Sequence, residues 1–234
     1  MEIKSRILIF LLLLAALAAC RQENELPAAA TAESPLASVE SAGEPTQPAQ
    51  QDPASESEAI EVTYFTPQQQ EGPYYTVNKP DDRDNDLVDL VGASGAPEGQ
   101  ILEFGGRIYD ADGLPVPGLT VEIWQTDADG VYLHPDDPGT AARDPNFQFY
   151  GEATTDEAGR YSFRTIIPGQ YEPRPPHIHF KVKQDGQELL TSQFYFSEGI
   201  DEALLIATVA GQDADGSPIL IGERDIVLNR GFSN

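Results

Sequence analysis

The sequence is poor in cysteine, histidine and basic residues, and each shortage excludes a class of structure or partner. Its 234 residues include one cysteine and three histidines, so neither an intrachain disulfide nor a metal site made of four histidines of one chain can form. Lys and Arg number 14 against 39 Asp and Glu, which gives a formal net charge of −25. Because binding to phosphate or to anionic headgroups requires clustered basic side chains, we expect no nucleic-acid partner and no electrostatic attachment to lipid.

The longest apolar run lies at the N-terminus and is short. Residues 7–17 are apolar and follow Lys4 and Arg6, whereas spanning a bilayer takes about 20 apolar residues. This pattern is typical of a signal peptide. The run ends in Leu-Ala-Ala-Cys at residues 17–20, which resembles a bacterial lipobox rather than an ordinary small-residue cleavage site. We predict a lipoprotein signal peptide over residues 1–19, lipidation of Cys20, and a membrane partner reached through that anchor on the cell envelope, with inner or outer membrane left open.

The next segment has few residues that can be buried. Between residues 21 and 60 the large apolar side chains are Leu26, Leu36, Val39 and Ile60, and eight acidic residues stand against Arg21 alone. Such a segment cannot bury enough apolar surface to offset its ordering entropy. Proline and like charge favour an extended chain. We therefore predict that residues 20–60 form a disordered acidic tether that holds a domain away from a membrane.

From residue 61 onward the composition changes, since all nine tyrosines and the single tryptophan lie beyond this point. Short alternating segments separated by Asp-Gly turns, with no long helical period, predict an all-β domain over residues 61–234. We expect an Ig-like or prealbumin-like β-sandwich with long loops, a hairpin turn at residues 156–159 and a short helix within residues 199–205. The predicted strands span residues 100–109, 120–125, 147–153, 160–166, 177–183, 189–196, 204–209 and 219–227.

A sandwich does not by itself indicate a function, since adhesin stalks and carboxypeptidase-associated domains show similar turn and strand patterns. Five apolar side chains in the middle of the domain are therefore first interpreted as core. They are Val121, Ile123, Trp124, Tyr161 and Phe163.

The sequence His177-Ile178-His179 carries the clearest chemical signal. Side chains alternate along a strand, so His177 and His179 lie on one face and can bind one metal ion. Two neutral nitrogens need further ligands, and Cys20 is remote and committed to lipid. Carboxylates would favour divalent iron or zinc, whereas phenolates would favour a trivalent ion such as Fe³⁺. Tyr171, in the proline-constrained loop just before the pair, is a candidate phenolate.

Residues 105–196 resemble the intradiol ring-cleavage dioxygenases, the family of the protocatechuate and catechol dioxygenases. No single motif identifies this family, but the combination of motifs is specific to it. The matching segments are 106–108, 115–118, 121–125, 129–132, 144–147, 154–168 and 174–180, together with Glu71-Gly72-Pro73-Tyr74-Tyr75 upstream.

The resemblance implies an enzyme with one non-haem Fe(III) per active site, acting on a catechol-type substrate with O₂. By motif position, the implied metal ligands are Tyr132, Tyr171, His177 and His179. Tyr171 would also leave the metal and act as a base. Arg174 would stabilise negative charge on the ring, and Gln193 would lie near the reacting ring. Gly72, Pro73 and Tyr74 would line the substrate pocket. The resemblance assigns no metal role to His134, which is expected at the surface or just outside the ligand set.

The loop between Tyr171 and His177 is shorter than in well-known protocatechuate enzymes, which leaves the substrate open among catechol, protocatechuate, hydroxyquinol and larger polyphenolic rings. Two other functions compete with the dioxygenase. One is a non-catalytic β-sandwich binding module of the cell surface, which the joint presence of four ligand candidates and Arg174 opposes. The other is a copper or zinc oxidoreductase, which the histidine count opposes. The sequence also leaves open whether identical chains form an oligomer.

Overall fold

A computed structural model of the protein describes residues 59–197 and 199–232. The predicted signal peptide, Cys20 and nearly all of the predicted tether lie outside the described residues. In the described part of the chain, no helix is both long and apolar enough to cross a membrane.

The described residues form two β-sheets. One has the order β4-β1-β8-β7, with β9 also pairing with β1, and the other has the order β3-β2-β5-β6. The elements are β1 (Ile101–Tyr109), β2 (Thr120–Trp124), β3 (Tyr150–Thr154), β4 (Arg160–Ile166), β5 (His177–Gln184), β6 (Gln187–Tyr195), a 3₁₀ turn (Glu202–Leu204), β7 (Ala207–Gln212), β8 (Pro218–Glu223) and β9 (Ile226–Val227). The prediction of an all-β domain with two sheets is confirmed, whereas the Ig-like or prealbumin-like topology stays a prediction.

The same side-chain-capped turn reverses the chain at four places. In each, an aspartate Oδ1 accepts hydrogen bonds from the backbone N–H groups two and four residues later, and a glycine with positive φ lies three residues after the aspartate. Such turns are favoured because the carboxylate satisfies backbone donors that no strand pairs. The four aspartates are Asp110, Asp127, Asp156 and Asp213.

The main core lies between the inner faces of the two sheets. Phe104 of β1 contacts Phe194 of β6 edge-on at 5.8 Å between ring centroids, and Phe194 stacks on Phe180 of β5 at 4.2 Å. Burial of this apolar surface is the chief stabilising contribution to such a fold. The predicted core residues Val121, Ile123, Tyr161 and Phe163 belong to this cluster.

Trp124 does not belong to the main core, although it is fully buried. It lies in a separate aromatic cluster with Tyr132 and Tyr150. The reason is the strand period: Ile123 faces the main core, so its neighbour Trp124 points to the other face of the sheet. The prediction that Trp124 is a core residue is therefore confirmed, and the core cluster to which it belongs lies on the other face of the sheet.

The predicted hairpin at residues 156–159 is wrong. Its two flanking strands belong to different sheets, since β3 pairs with β2 and β4 pairs with β1. The turn therefore carries the chain from one sheet to the other. The predicted strand over residues 147–153 begins later, at Tyr150, because Phe149 has a φ of 63° and interrupts extended backbone.

Three boundaries near the C-terminus also differ from prediction. The predicted strand over residues 219–227 divides into β8 and β9, because the Asp225 Oδ1 accepts from the Arg107 N–H at 2.8 Å in place of a backbone acceptor. The strand predicted from residue 204 runs instead from Ala207 to Gln212. The predicted helix shrinks to one 3₁₀ turn capped by the Asp201 side chain.

Candidate metal centre

The site is built on the outer face of the second sheet, where four side chains form a row across its four strands. Tyr150 of β3 is paired with Trp124 of β2, Trp124 with His179 of β5, and His179 with Gln193 of β6. Cross-strand partners project to the same face. Strand alternation then adds His177 beside His179 on β5. The register of the sheet therefore decides which side chains meet.

Three donor atoms converge at this row. The Tyr132 hydroxyl lies 3.1 Å from the Nε2 atoms of both His177 and His179, and the two Nε2 atoms are 3.0 Å apart. Donors with this separation can all lie about 2.1 Å from one point, which is an ordinary metal-to-nitrogen distance. The predicted ligands Tyr132, His177 and His179 are thus brought together.

Proton counting shows that these three atoms suit a cation. His177 Nδ1 lies 2.7 Å from the Pro175 carbonyl oxygen and donates to it, so its Nε2 carries a lone pair. A neutral His179 and the Tyr132 hydroxyl supply at most two protons for three mutual contacts. One contact therefore brings two lone pairs together, and a bound cation would remove that repulsion.

Burial keeps the two imidazoles in the neutral state that a metal ligand requires, but it opposes ionisation of Tyr132. Burial lowers the pKa of His177, with the Pro175 hydrogen bond opposing it, and lowers the pKa of His179 well below its ordinary value. Both imidazoles are therefore neutral, which is the ligand form. Burial raises the pKa of Tyr132, an effect that Arg174 opposes. A phenolate at Tyr132 therefore requires a cation in place of its proton.

The composition of the site points to tyrosine as a ligand. Within residues 59–197 and 199–232, no group of three or more His, Cys, Asp or Glu side chains is placed to hold a metal ion. The protein atom placed to serve as a further ligand beside His177 and His179 is the Tyr132 oxygen, which lies 3.1 Å from both Nε2 atoms. An anionic, hard phenolate oxygen fits ferric iron better than a soft metal. The residues present fit the ferric iron that the family resemblance implies.

Tyr132 is fixed by the loop that follows β2. Its N–H donates to Asp137 Oδ2 at 2.6 Å, and its carbonyl oxygen accepts from Arg143 Nε at 2.8 Å. The loop packs closely on the one that carries Tyr171, because a Cβ at Gly130 would overlap the Gln170 carbonyl oxygen. A glycine is therefore required where the two tyrosine-bearing loops touch.

Tyr171 lies beside the three donors but is not one of them in this structure. Its ring is edge-on to Tyr132 at 5.8 Å between centroids. Its hydroxyl is instead hydrogen-bonded to the Tyr74 hydroxyl at 3.2 Å, and this contact with Tyr171, together with burial, raises the pKa of Tyr74 to about 12. Tyr171 is half-buried whereas Tyr132 is buried. The two predicted tyrosine ligands therefore differ in their exposure and in their partners.

Arg174 is held in a polar network at the rim of the site. Its guanidinium donates to Gln193 Oε1 at 2.5 Å and to the Tyr195 hydroxyl at 2.7 Å. The Tyr195 hydroxyl donates to Gln193 Oε1 at 2.7 Å, and Gln193 Nε2 donates to the Gln70 carbonyl oxygen at 2.6 Å. Sequence reasoning placed Arg174 and Gln193 here but missed Tyr195. Strand alternation could have found it, since Tyr195 follows Gln193 by two residues on β6.

The open side of the site is formed by the segment before β1. A Cβ on Gly72 would lie 3.4 Å from His179 Cε1, so the Gly72 backbone borders the imidazole. Pro73 is exposed next to it, and Tyr74 packs on Tyr132 at 5.3 Å between centroids. The three residues predicted to line the pocket therefore lie at the mouth of the site. His134 is buried rather than at the surface, 5.6 Å from Tyr74, and stays outside the three converging donors.

The sequence of the chain was compared with known protein families and curated proteins. The profile of the Dioxygenase family matches residues 70–231. The protocatechuate 3,4-dioxygenase beta chain of Burkholderia cepacia is 43% identical over 122 residues, which cover 48% of this chain and 52% of that protein. Catechol 1,2-dioxygenase of Acinetobacter baylyi is 33% identical over 157 residues, which cover 59% of this chain and 49% of that protein. The chain thus spans about half the length of the curated relatives it matches.

A solved structure shows the same likeness in three dimensions. It is the dioxygenase domain of a dioxygenase and carbohydrate-binding protein fusion from the cellulolytic bacterium Streptomyces sp. SirexAA-E. It is 29% identical with a TM-score of 0.55, and the match covers 72% of this chain and 100% of that domain.

Proposed function

This chain belongs to the intradiol ring-cleavage dioxygenase family, and we propose that it is an Fe(III)-dependent enzyme that opens a catechol-type ring between its two hydroxylated carbons. The observation that carries the proposal is the convergence of the Tyr132 hydroxyl with the Nε2 atoms of His177 and His179. A non-catalytic binding module would not require these three lone-pair donors to lie together beside the Arg174 guanidinium.

The reaction is balanced without a further cofactor. A catechol and one O₂ give a muconate-type diacid, so both oxygen atoms enter the product and no external electron donor is consumed. When bound by Tyr132, Tyr171, His177 and His179, ferric iron would supply the positive charge that stabilises a deprotonated catechol and makes its ring reactive toward O₂.

Tyr171 and Tyr74 provide a place to hold a proton from the substrate. Tyr171 is half-buried near the mouth of the site, and its Oη is hydrogen-bonded to Tyr74 Oη. A phenolate at Tyr171 can take a proton from a catechol hydroxyl, and the resulting phenol keeps its hydrogen bond to Tyr74.

Arg174 is positioned for electrostatic stabilisation. A guanidinium stays cationic at any working pH. Because Gln193 and Tyr195 hold it with short hydrogen bonds, Arg174 need not reorganise when negative charge develops on the ring. The Pro175 carbonyl similarly holds His177 in one tautomer before any ligand arrives.

We also propose that the enzyme is exported and lipid-anchored through Cys20 to the cell envelope. The support is the lipobox-like sequence at residues 17–20 and the acidic, proline-containing segment that follows it. Fractionation of cells fed a radiolabelled fatty acid tests this. The native chain should be labelled and membrane-bound, whereas Cys20→Ala should lose the label; an unlabelled native chain would contradict the anchor.

The activity is tested by oxygen uptake with purified protein across catechol, protocatechuate, hydroxyquinol and larger polyphenols. We expect a red-brown protein, because a tyrosinate bound to ferric iron absorbs visible light, and one O₂ consumed per ring. Arg174→Lys is the matched variant, since it keeps the charge but loses the planar fork. A preparation that stays colourless and inactive after loading with ferrous or ferric iron in air would contradict the proposal.

A further inference from the structure

The two histidines of the site are held in different ways. His177 donates its Nδ1–H to the Pro175 carbonyl oxygen at 2.7 Å. His179 Nδ1 is buried and has no hydrogen-bond partner in the described part of the chain. Metal-binding histidines almost always donate their second ring N–H to an acceptor, which fixes the ring orientation. The orientation of His179 must therefore be set by another contact.

Trp124 makes that contact. Its indole stacks on the His179 imidazole with 4.7 Å between centroids and 10° between planes. Both rings are buried, with 0% of Trp124 and 5% of His179 exposed. Trp124 and His179 are cross-strand partners in β2 and β5, so the backbone register places the two rings side by side. Rotation of the imidazole about its Cβ–Cγ bond would break the stack.

The indole is itself held by packing rather than by a hydrogen bond. In residues 59–197 and 199–232, its Nε1 has no hydrogen-bond partner. Tyr75 packs edge-on against it at 4.9 Å and 81°, and the Tyr75 hydroxyl donates to Glu122 Oε2 at 2.8 Å. Glu122 in turn accepts from Lys79 at 2.6 Å and from Lys183 at 2.5 Å. The buried, ion-paired Glu122 therefore anchors the Tyr75 ring that packs against the indole.

We propose that Trp124 is a positioning residue of the metal centre: its indole face fixes the plane of His179 so that Nε2 points at the Tyr132 hydroxyl and at His177 Nε2. The proposal rests on the proposed function, since it assumes that a metal binds these three atoms. It explains why a fully buried tryptophan lies outside the main core and why His179 lacks the hydrogen bond that His177 has.

The test compares iron retention and iron geometry in the full chain. Iron-loaded wild type, Trp124→Leu and Trp124→Phe are mixed with excess EDTA, and the loss of the visible tyrosinate band is timed. We expect Trp124→Leu to release iron about 10–100 times faster and to shift the rhombicity of the ferric electron paramagnetic resonance signal. Trp124→Phe keeps an aromatic face and should stay within about threefold of wild type.

Phe163→Leu is the matched control, because Phe163 is an equally buried aromatic residue in the main core and belongs to the other sheet. It should lower stability while leaving iron release and the resonance signal unchanged. Equal release rates and equal signals for wild type and Trp124→Leu would overturn the inference. A wild-type protein that retains no iron would instead refute the proposed function, so the two failures are distinguishable.

A second measurement needs no variant. Trp124 is the single tryptophan of the chain, so tryptophan emission of the whole protein reports on this one ring. Because the indole contacts a ligand of the metal, stoichiometric Fe(III) should quench most of the emission. Emission that stays unchanged while iron is bound would show that Trp124 does not contact the metal-bearing imidazole and would overturn the inference even if Trp124→Leu failed to fold.

Discussion

The two faces of strand β5 share one backbone but carry different side chains, apolar on one face and polar on the other. Its inner face carries Ile178, Phe180 and Val182, which are fully buried against the other sheet. Its outer face carries His177, His179, Lys181 and Lys183. The segment before β1 contacts the last three of these through Gly72, Glu71 and Tyr75, respectively. The inner face supplies apolar burial, which tolerates a change of apolar side chain as long as the packed volume is kept. The outer face supplies polar contacts that depend on individual atoms, so the two faces should respond differently to substitution.

The largest effect is expected for His179→Ala on the outer face. It removes one of the three converging donors, and ring cleavage should fall at least about a thousandfold, a barrier increase of about 4 kcal/mol. The folded protein should remain, because the inner face is untouched. Oxygen uptake with catechol, alongside iron content, measures the loss.

Tyr171→Phe provides the companion to this variant, since it removes an oxygen while the edge-on ring packing is kept. It should also lower ring cleavage by orders of magnitude. Full activity in both variants would show that the site is assigned to the wrong residues.

The next largest effect is expected on the inner face. Phe180→Ala should lower the free energy of unfolding by about 3–5 kcal/mol, because it removes a stacked aromatic ring and leaves a cavity. The fraction that remains folded should still bind iron. Urea unfolding measures the first result and iron content per folded molecule the second. Phe180→Leu should lower the free energy of unfolding by clearly less. A fall in the iron content per folded molecule of Phe180→Ala would contradict the separation of the two faces.

A smaller effect is expected at the ion-paired part of the outer face. Burial alone would raise the pKa of Glu122, but hydrogen bonds from Lys183, Lys79 and Tyr75 outweigh it and hold the pKa below its ordinary value. Glu122→Gln should therefore cost about 2–3 kcal/mol at neutral pH, less than for a fully buried pair because both lysines are partly exposed.

The sign of the pH dependence follows from that lowered pKa. A carboxylate whose pKa is lower in the folded state stabilises the fold above the ordinary glutamate pKa, and this stabilisation is lost as the pH falls from about 4 through the lower, folded value. The stability difference between wild type and Glu122→Gln should therefore shrink across that acid range. Urea unfolding of both proteins at a series of pH values checks this, and a constant difference would contradict it.

The smallest effect is expected for Tyr75→Phe. This variant keeps the ring that packs edge-on against Trp124 and removes only the hydroxyl that donates to Glu122. It should cost about 1 kcal/mol in unfolding free energy, the usual net value of such a hydrogen bond. Iron release should not change, because the stack is intact. Iron release as fast as in Trp124→Leu would show that the hydroxyl, rather than the ring, maintains the site.

Local patterns in the sequence predict where most strands lie and that the two histidines are paired, because strand alternation depends only on neighbouring residues. They placed His177 and His179 on one face of β5 and found β4 at its observed bounds, Arg160–Ile166. They could not show that residues 156–159 join different sheets, since a turn of the same kind closes a hairpin or crosses between sheets. Pairing of strands is decided by long-range packing.

The site residues also divide into those that local sequence patterns predict and those that long-range packing brings together. Tyr171 is a candidate from its place just before the paired histidines, whereas Tyr132 is implied only by the family resemblance. Nothing in a loop sequence predicts that the two loops meet at Gly130. The sequence indicates only that Trp124 is buried. A tryptophan in an apolar core and one stacked on a metal-binding histidine are both buried and aromatic, so the sequence does not distinguish them. The role of Trp124 depends on the register between β2 and β5, which the sequence of either strand does not contain.

The most direct test of the central claim is the identity of the ring-cleavage product formed from catechol and ¹⁸O₂ by the iron-loaded protein. We predict a muconate-type diacid in which both labelled oxygen atoms are found, one in each new carboxyl group, and loss of this product in His179→Ala. A semialdehyde from cleavage beside the hydroxylated carbons, or unchanged catechol with iron bound, would contradict it.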